Sequence, residues 1–379
     1  MDYSLFAVSA PGLEPYTARE LQRLKMSDVK AIPGGVEFCG ARSDVYRANL
    51  HLRTAGRVLL RLGEFYAAAF SELRQKAGRL AWERFLAPGQ PVAIKATCHK
   101  SKLYHSDAVA ERVVGAIGDR LGQSARRHKG GDETELPAAA QLIVVRVDHD
   151  RCLISVDTSG ALLHQRGYRL ATAKAPLRET LAAGMLFASA WDAAAPLLDP
   201  FCGAGTIAVE AALLAQGLAP GRARRFAFMG WPDFEVEAWQ SLLAEADSQS
   251  TSVAPPILAS DRDGGAIDAA CANAERAGVG GSIEFTRRAV SAIEPPGGPG
   301  WVVTNPPYGV RVSQRHDLRN LYAQFGHVLR AKCAGWHVAL LTNSAELQAQ
   351  VGLEFDRGVS LVNGGLKVKL VRGTVSLPQ

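Results

Sequence analysis

Paired cysteine motifs are missing from this sequence. Its six cysteines, at positions 39, 98, 152, 202, 271 and 333, are widely scattered and form no CxxC pair. This excludes a zinc knuckle or a redox dithiol as an organising element, and no metal site is expected. There is no apolar run of about 20 residues free of charge that could span a bilayer. The amino-terminal stretch MDYSLFAVSAPGLEPY carries an early acid and no long apolar core. It does not read as a secretory leader, and a reducing cytoplasm is the expected compartment. A GxxxxGKS or GxxxxGKT phosphate loop is absent, and so is the GxGxxG spacing of dinucleotide enzymes.

What is present is the balance of an ordinary globular protein, 47% hydrophobic and 21% charged over 379 residues, enough for two or three domains. Lys and Arg outnumber Asp and Glu by 43 to 37, a net charge of +6. That excess points weakly to a polyanionic partner, because clustered cations release phosphate counterions.

Three regions follow along the chain. Residues 1 to about 65 mix short strand-like runs (Leu5 to Ala10, and a turn and strand from Gly34) with helical spacing from Thr17. A second α+β pattern runs from about 66 to 165. It has a helix over 72–85, a strand over 91–97, a helix over 107–121, a polar stretch from Ser124, and strands over 142–147 and 152–157. After HQRGYR at 164–169, Ala-rich helical segments alternate with short apolar runs ending at Asp199, Asp261, Asn305 and Thr342. Such alternation predicts a parallel sheet covered on both faces, with its chemistry at the carboxyl ends of the strands.

The segment LLDPFCGAGTIAVEAA, 197 to 212, reads as a strand ending at Asp199, a turn through Pro200 and Cys202 with Gly203 and Gly205, and a helix opening near Thr206. Glycines there let a ligand approach the backbone, and the free N–H groups of the helix start favour an anion. For S-adenosyl-L-methionine (SAM) that anion is the methionine carboxylate. The next strand ends in SDRD, where an acid can accept hydrogen bonds from both ribose hydroxyls. Asp261 is the first choice and Asp263 the second, one of the two being only a helix cap.

WVVTNPPYG, 301 to 309, carries the most specific chemistry. An aromatic amine has its lone pair delocalised into the ring, so methylating it requires the NH₂ to be held. The Asn305 oxygen and the Pro306 carbonyl can accept its two hydrogens, Pro307 stiffens the loop, and Tyr308 can stack on an extruded base. Asn305 also joins the cofactor set. No strong general base is evident beside the motif. Cys202 and Cys333 read as packed thiols rather than nucleophiles for a ring carbon. Lys100, Lys102, Tyr104 and His105 interleave base and ring in a way that suits RNA, against the alternative of a solvated loop, and Arg166 and Arg169 join these RNA candidates.

Taken together the chain resembles the THUMP-domain class I RNA methyltransferases, especially the bacterial group that makes N2-methylguanosine in 23S rRNA and its relatives acting on tRNA. GLE (12–14), SKLYH (101–105), APLRETLAA (175–183), the Asp199 turn, NPPYG, LYAQFG (321–326), GW (335–336) and LVNGGL (361–366) carry the resemblance across nearly the whole length. It implies a ferredoxin-like domain at 1–65, a THUMP RNA-binding domain at 66–165, a linker at 166–180 and a Rossmann-like SAM-dependent domain at 181–379. The last is expected to have a mostly parallel seven-stranded sheet closed by an antiparallel strand. RNA is the implied partner, rRNA ahead of tRNA, with no membrane. One position departs from the family: Ala289 stands where an acid is expected to touch the cofactor adenine. The rival readings are an adenine-N6 nucleic-acid methyltransferase, which shares NPPY, and a non-enzymatic RNA-binding assembly factor.

Overall fold

The computed structural model describes residues 2–125, 127–128, 139–169, 177–308 and 315–377. Gly309, Ala175 and Pro176, and much of the polar stretch after Ser124, lie outside them. Among the described residues no helix is long and apolar enough to cross a membrane. By their contacts the residues gather into two units. One comprises the residues up to Ser9, Thr17–Leu163 and Arg224–Ala244; the other comprises Ala10–Tyr16, His164–Ala223 and Glu245 onward.

The first unit is built on one sheet. Its strands are β1 (Tyr3–Ser9), β2 (Ser27–Ile32), β3 (Gly35–Gly40), β4 (Ala55–Tyr66), β5 (Val92–His99), β6 (Gln141–Asp148) and β7 (Arg151–Asp157), in the order β2-β3-β1-β4-β7-β6-β5. Helices α1 (Glu14–Arg23), α2 (Arg42–His51), α3 (Phe70–Ala77) and α4 (Ser106–Leu121) accompany them. The two α+β patterns of the sequence share this sheet because β4 is 12 residues long. Its first half pairs with β1 and its second half with β7, so the expected border at 65–66 falls inside a single strand. The helix expected over 72–85 ends at Ala77, where Gly78 closes it and the Trp82 indole N–H donates to the Ala77 carbonyl at 2.8 Å. Within this unit the segment Arg224–Ala244 adds aromatic surface: Phe228 stacks on Tyr46 at 4.6 Å, while Phe234 and Trp239 meet the Tyr46 ring edge-on.

The second unit holds β8 (Leu197–Asp199), β9 (Ile257–Asp261), β10 (Glu284–Arg287), β11 (Trp301–Thr304), β12 (His337–Thr342), β13 (Val359–Asn363) and β14 (Leu366–Thr374), in the order β10-β9-β8-β11-β12-β14-β13. The first five are parallel, and β14 runs antiparallel to both neighbours, giving the expected seven-stranded, mostly parallel sheet. Its helices are α5 (Glu179–Ala188), α6 (Thr206–Ala215), α8 (Gly264–Ala277), α9 (Arg315–Lys332) and α10 (Ala345–Gln350), while most of α7 (Val236–Ser248) belongs to the first unit. Side chains alternate along the strands: Leu197, Val303, Ala339 and Leu341 belong to one buried cluster, and Leu198, Val302, Val338 and Leu340 to another. The chain steps outward from β8 through β9 to β10, then returns to β11 on the opposite side of β8. That reversal makes the carboxyl ends of β8 and β11 the switch point at which sheets of this kind bind ligands.

Candidate active site

Asp199 ends β8 and is 1% exposed. Its Oδ1 accepts from the Thr304 hydroxyl at 2.7 Å and from the Phe201 N–H at 3.3 Å, while Oδ2 is buried with no partner among the described residues. Burial pushes its pKa up to about 7. The Asp261 charge acts in the same direction, and the Thr304 and Phe201 bonds oppose it.

The turn that follows is held from both sides. Cys202 N–H donates to the Ser260 carbonyl at 3.0 Å, and Gly203 N–H donates to Asp261 Oδ2 at 3.1 Å. Gly203 has φ +51, and a Cβ there would meet nothing within 4 Å. Gly205, at φ +79, has no such freedom: a Cβ would stand 2.9 Å from the Ala270 Cβ. Glycine is therefore demanded twice, by backbone handedness at both positions and by close packing at the second. From Gly205 the chain enters α6, whose first residue, Thr206, is buried. Burial raises the Cys202 thiol pKa strongly, so this sulfur stays protonated and is no nucleophile.

The two acids at the end of β9 divide their roles. Asp263 caps α8, its Oδ1 accepting from Gly265 N–H at 3.0 Å. Asp261 instead turns toward the glycine turn, and its other oxygen accepts from Asp263 N–H at 3.0 Å.

Asn305 follows β11 directly. Its Oδ1 is buried and has no partner among the described residues, next in sequence to the Thr304 that bonds Asp199. Pro306 is buried and Pro307 exposed. The Pro307 carbonyl accepts from the Tyr322 hydroxyl at 3.4 Å, and the Tyr308 hydroxyl accepts from Asn363 Nδ2 at 2.8 Å. Asn363 belongs to the β13–β14 hairpin, which turns on Gly364 and Gly365, both at positive φ. The loop beyond Asn305 is thus pinned at two points.

Asn273 is a residue that sequence reasoning missed. It is fully buried on α8, and its Nδ2 donates to the Ala204 carbonyl at 3.0 Å while its Oδ1 accepts from Arg276. Arg276 also donates to the Tyr168 carbonyl at 2.7 Å, and the Tyr168 hydroxyl donates to Glu210 of α6 at 3.1 Å. The same network corrects the RNA role expected of Arg166 and Arg169. Arg166 lies 3.5 Å from Glu210 with its side chain 3% exposed, and Arg169 pairs with Glu179 at 3.0 Å. Buried carboxylates engage both guanidinium groups, since a buried charge must be paired.

Lys100, Lys102, Tyr104 and His105 are exposed between β5 and α4, with the Tyr104 and His105 rings 4.1 Å apart. Ala289 is exposed before a short 3-10 turn, Val290–Ala292, and its side chain offers no polar atom to an adenine.

Residues 166–372 match the RMKL-like methyltransferase domain family, residues 4–59 the RlmL ferredoxin-like domain, and residues 67–157 the THUMP domain. The chain belongs to the RMKL-like methyltransferase family. Among relatives of this RMKL-like chain is the ribosomal RNA large subunit methyltransferase K/L of Methylococcus capsulatus, 38% identical over 98% of this chain and 51% of the relative. Another, "Putative RNA methyltransferase slr0064" of Synechocystis, is 35% identical over 97% of this chain and 95% of its own length. The chain spans about half the length of the K/L relatives it matches. Two solved structures are similar throughout. A protein of Listeria monocytogenes, described as a "predicted N6-adenine-specific DNA methylase", has a TM-score of 0.88 at 32% identity, covering 100% of this chain and 97% of that one. SMU.472, solved in complex with SAH, has a TM-score of 0.86 at 28% identity, covering 100% and 99%.

Proposed function

We propose that this chain transfers a methyl group from SAM to the exocyclic 2-amino group of a guanosine in RNA, with large-subunit rRNA ahead of tRNA as the substrate. The observation that carries the reading is the buried Oδ1 of Asn305 at the carboxyl end of β11, which has no partner among the described residues. An acceptor left without a donor there costs free energy unless a ligand N–H supplies one.

The residues present fit the cofactor. Open space at Gly203, the first N–H groups of α6 and the unpartnered Asp199 Oδ2 make a place for the carboxylate and ammonium of the methionine portion. Asp261 is the acceptor for the ribose hydroxyls, with Pro200, Cys202 and Thr206 shaping the turn around it. Bound there, SAM supplies a methyl group already activated on sulfonium sulfur. Asn305 Oδ1 accepts one amine hydrogen and the Pro306 carbonyl the other, which turns the nitrogen toward the methyl group. Tyr308, fixed by Asn363, gives the base a ring face. The amine becomes acidic once it has taken the methyl group and loses its proton to water, so no strong base is required. The protonated, buried Cys202 does not support a thiolate route to a ring carbon.

The RNA reading is supported by the THUMP match, by the exposed Lys100–His105 loop and by the names of the K/L relatives. It implies the cytoplasm, where those RNAs are found. The test is nucleoside mass spectrometry after incubation with labelled SAM, comparing protein-free 23S rRNA with bulk tRNA. Label in N2-methylguanosine from 23S rRNA is the expected result. Label in N6-methyladenosine overturns the base assignment, and N2-methylguanosine only in tRNA moves the substrate. No label in either RNA overturns the enzymatic reading in favour of an RNA-binding factor.

A further inference from the structure

His99, Asp148 and His149 meet at one end of the first unit's sheet, away in sequence from every residue of the methylation site. Parallel pairing of β5 with β6 sets His99 opposite Asp148, and the two-residue turn from β6 into β7 begins with His149. The His149 N–H donates to the His99 carbonyl at 3.1 Å, fixing the two backbones together. Each imidazole Nδ1 lies 2.9 Å from the same oxygen, Asp148 Oδ1, and the rings stand 5.8 Å apart at 74°. One ligand atom from each of the three residues falls within 4.8 Å of the others.

Two imidazoles and a carboxylate sharing one point form the donor set of a borderline metal ion. Around a tetrahedral Zn²⁺ with bonds of about 2.0–2.1 Å, donor atoms sit roughly 3.3 Å from each other. The two nitrogen–oxygen separations of 2.9 Å need open by only a few tenths of an ångström, and the third, between the two rings' nitrogens, lies within 4.8 Å. We infer that His99, Asp148 and His149 form a binding site for a divalent transition-metal ion of the zinc class. The ion takes the place of the two Nδ1 protons, each imidazole binding through Nδ1 as its neutral tautomer with the proton on Nε2, and water completes its coordination.

The scaffold is rigid and specific to these residues. His149 and Asp150 both adopt the left-handed backbone, at φ +50 and +62, where a two-residue hairpin ordinarily places Asn and Gly. Ser101 Oγ donates to the His99 carbonyl at 2.7 Å and accepts from Asp150 N–H, while Asp150 Oδ1 accepts from Lys102 N–H at 2.7 Å. The site is therefore tied to the loop that carries Lys100 and Lys102, and an ion there adds positive charge beside them. Arg146 is the competing cation, 3.4 Å from Asp148 Oδ2. With both imidazoles more than 60% exposed, the site is open to water and its affinity is expected in the micromolar range. Mg²⁺, which requires oxygen donors, should not compete.

The test uses the full chain, with Co²⁺ followed by visible absorption and Zn²⁺ by calorimetry. One equivalent should bind with no thiolate charge-transfer band, and excess Mg²⁺ should not displace it. Asp148→Asn and His149→Asn should each weaken binding at least about tenfold. Asn tolerates the left-handed backbone at 149, so this variant keeps the fold, and its melting temperature should no longer rise with Zn²⁺ as that of the parent does. Unchanged affinity in both variants, a thiolate band, or no saturable binding below about 1 mM overturns the site; that limit lies well above the affinity expected of three ligands.

Discussion

The Thr304 hydroxyl donates to Asp199 Oδ1 at 2.7 Å, joining the last residue of β11 to the last residue of β8. This bond fixes the two strand ends between which the sheet reverses direction. It also satisfies one oxygen of Asp199 and leaves the other, together with Asn305 Oδ1, as buried acceptors without donors among the described residues. The site is thus defined by what its own residues leave unpaired.

Replacing Asp261 should weaken SAM binding. Asp261→Ala removes the acceptor proposed for the ribose and releases Gly203 N–H, a loss of about 1–3 kcal/mol in affinity. Asp263→Ala removes only a helix cap, costing about 1 kcal/mol of stability with SAM affinity retained. Calorimetry and melting curves on both variants separate the two roles, and an unchanged affinity in Asp261→Ala moves the ribose contact to Asp263.

The Asp199 carboxyl makes stability depend on pH. Its ordinary pKa of 3.8 is raised to about 7 by burial, so the folded protein retains a proton that the unfolded chain gives up. The stability this proton confers is fully present below about pH 4. It falls by about 1.4 kcal/mol per pH unit up to about pH 7 and changes little beyond. Asp199→Asn cannot ionise and can still accept from Thr304. In the ligand-free protein the advantage of this variant should widen from pH 4 to 7 and then level off. A gap that stays constant across that range contradicts the raised pKa.

The exposed lysines and the buried arginines should behave oppositely. Lys100→Ala combined with Lys102→Ala should weaken RNA binding and flatten the plot of log affinity against log salt by about two. Arg169→Ala should lower stability by about 3 kcal/mol, because Glu179 is left buried without its partner, while the salt slope of the folded protein stays as in the parent. A flattened slope in Arg169→Ala would return that residue to the RNA surface.

Short motifs at strand ends were legible because their function and their local structure use the same few residues. Gly203 and Gly205 announce a turn, and Asn305 with its prolines announces a stiffened loop. The sheet was legible from the alternation of strands and helices. What composition could not show was pairing across distance. Asn273 reads as one more polar residue on a helix until Ala204 is seen beneath it. Arg166 and Arg169 read as surface cations in a basic stretch because nothing local reveals Glu210 and Glu179. In the same way no strand was legible at 55–66, where β4 is held between its distant partners β1 and β7, and Phe228 gave no local sign that it packs on Tyr46.

The central claim is that Asn305 aligns an amine for methyl transfer, and the most direct measurement is single-turnover methylation by Asn305→Ala with calorimetric SAM affinity taken in parallel. The rate should fall at least about a hundredfold while SAM affinity stays nearly that of the parent, because the lost hydrogen bond matters chiefly for positioning the acceptor. Methyl transfer at the parental rate would contradict the assignment of Asn305, and with it the amine-methylating site.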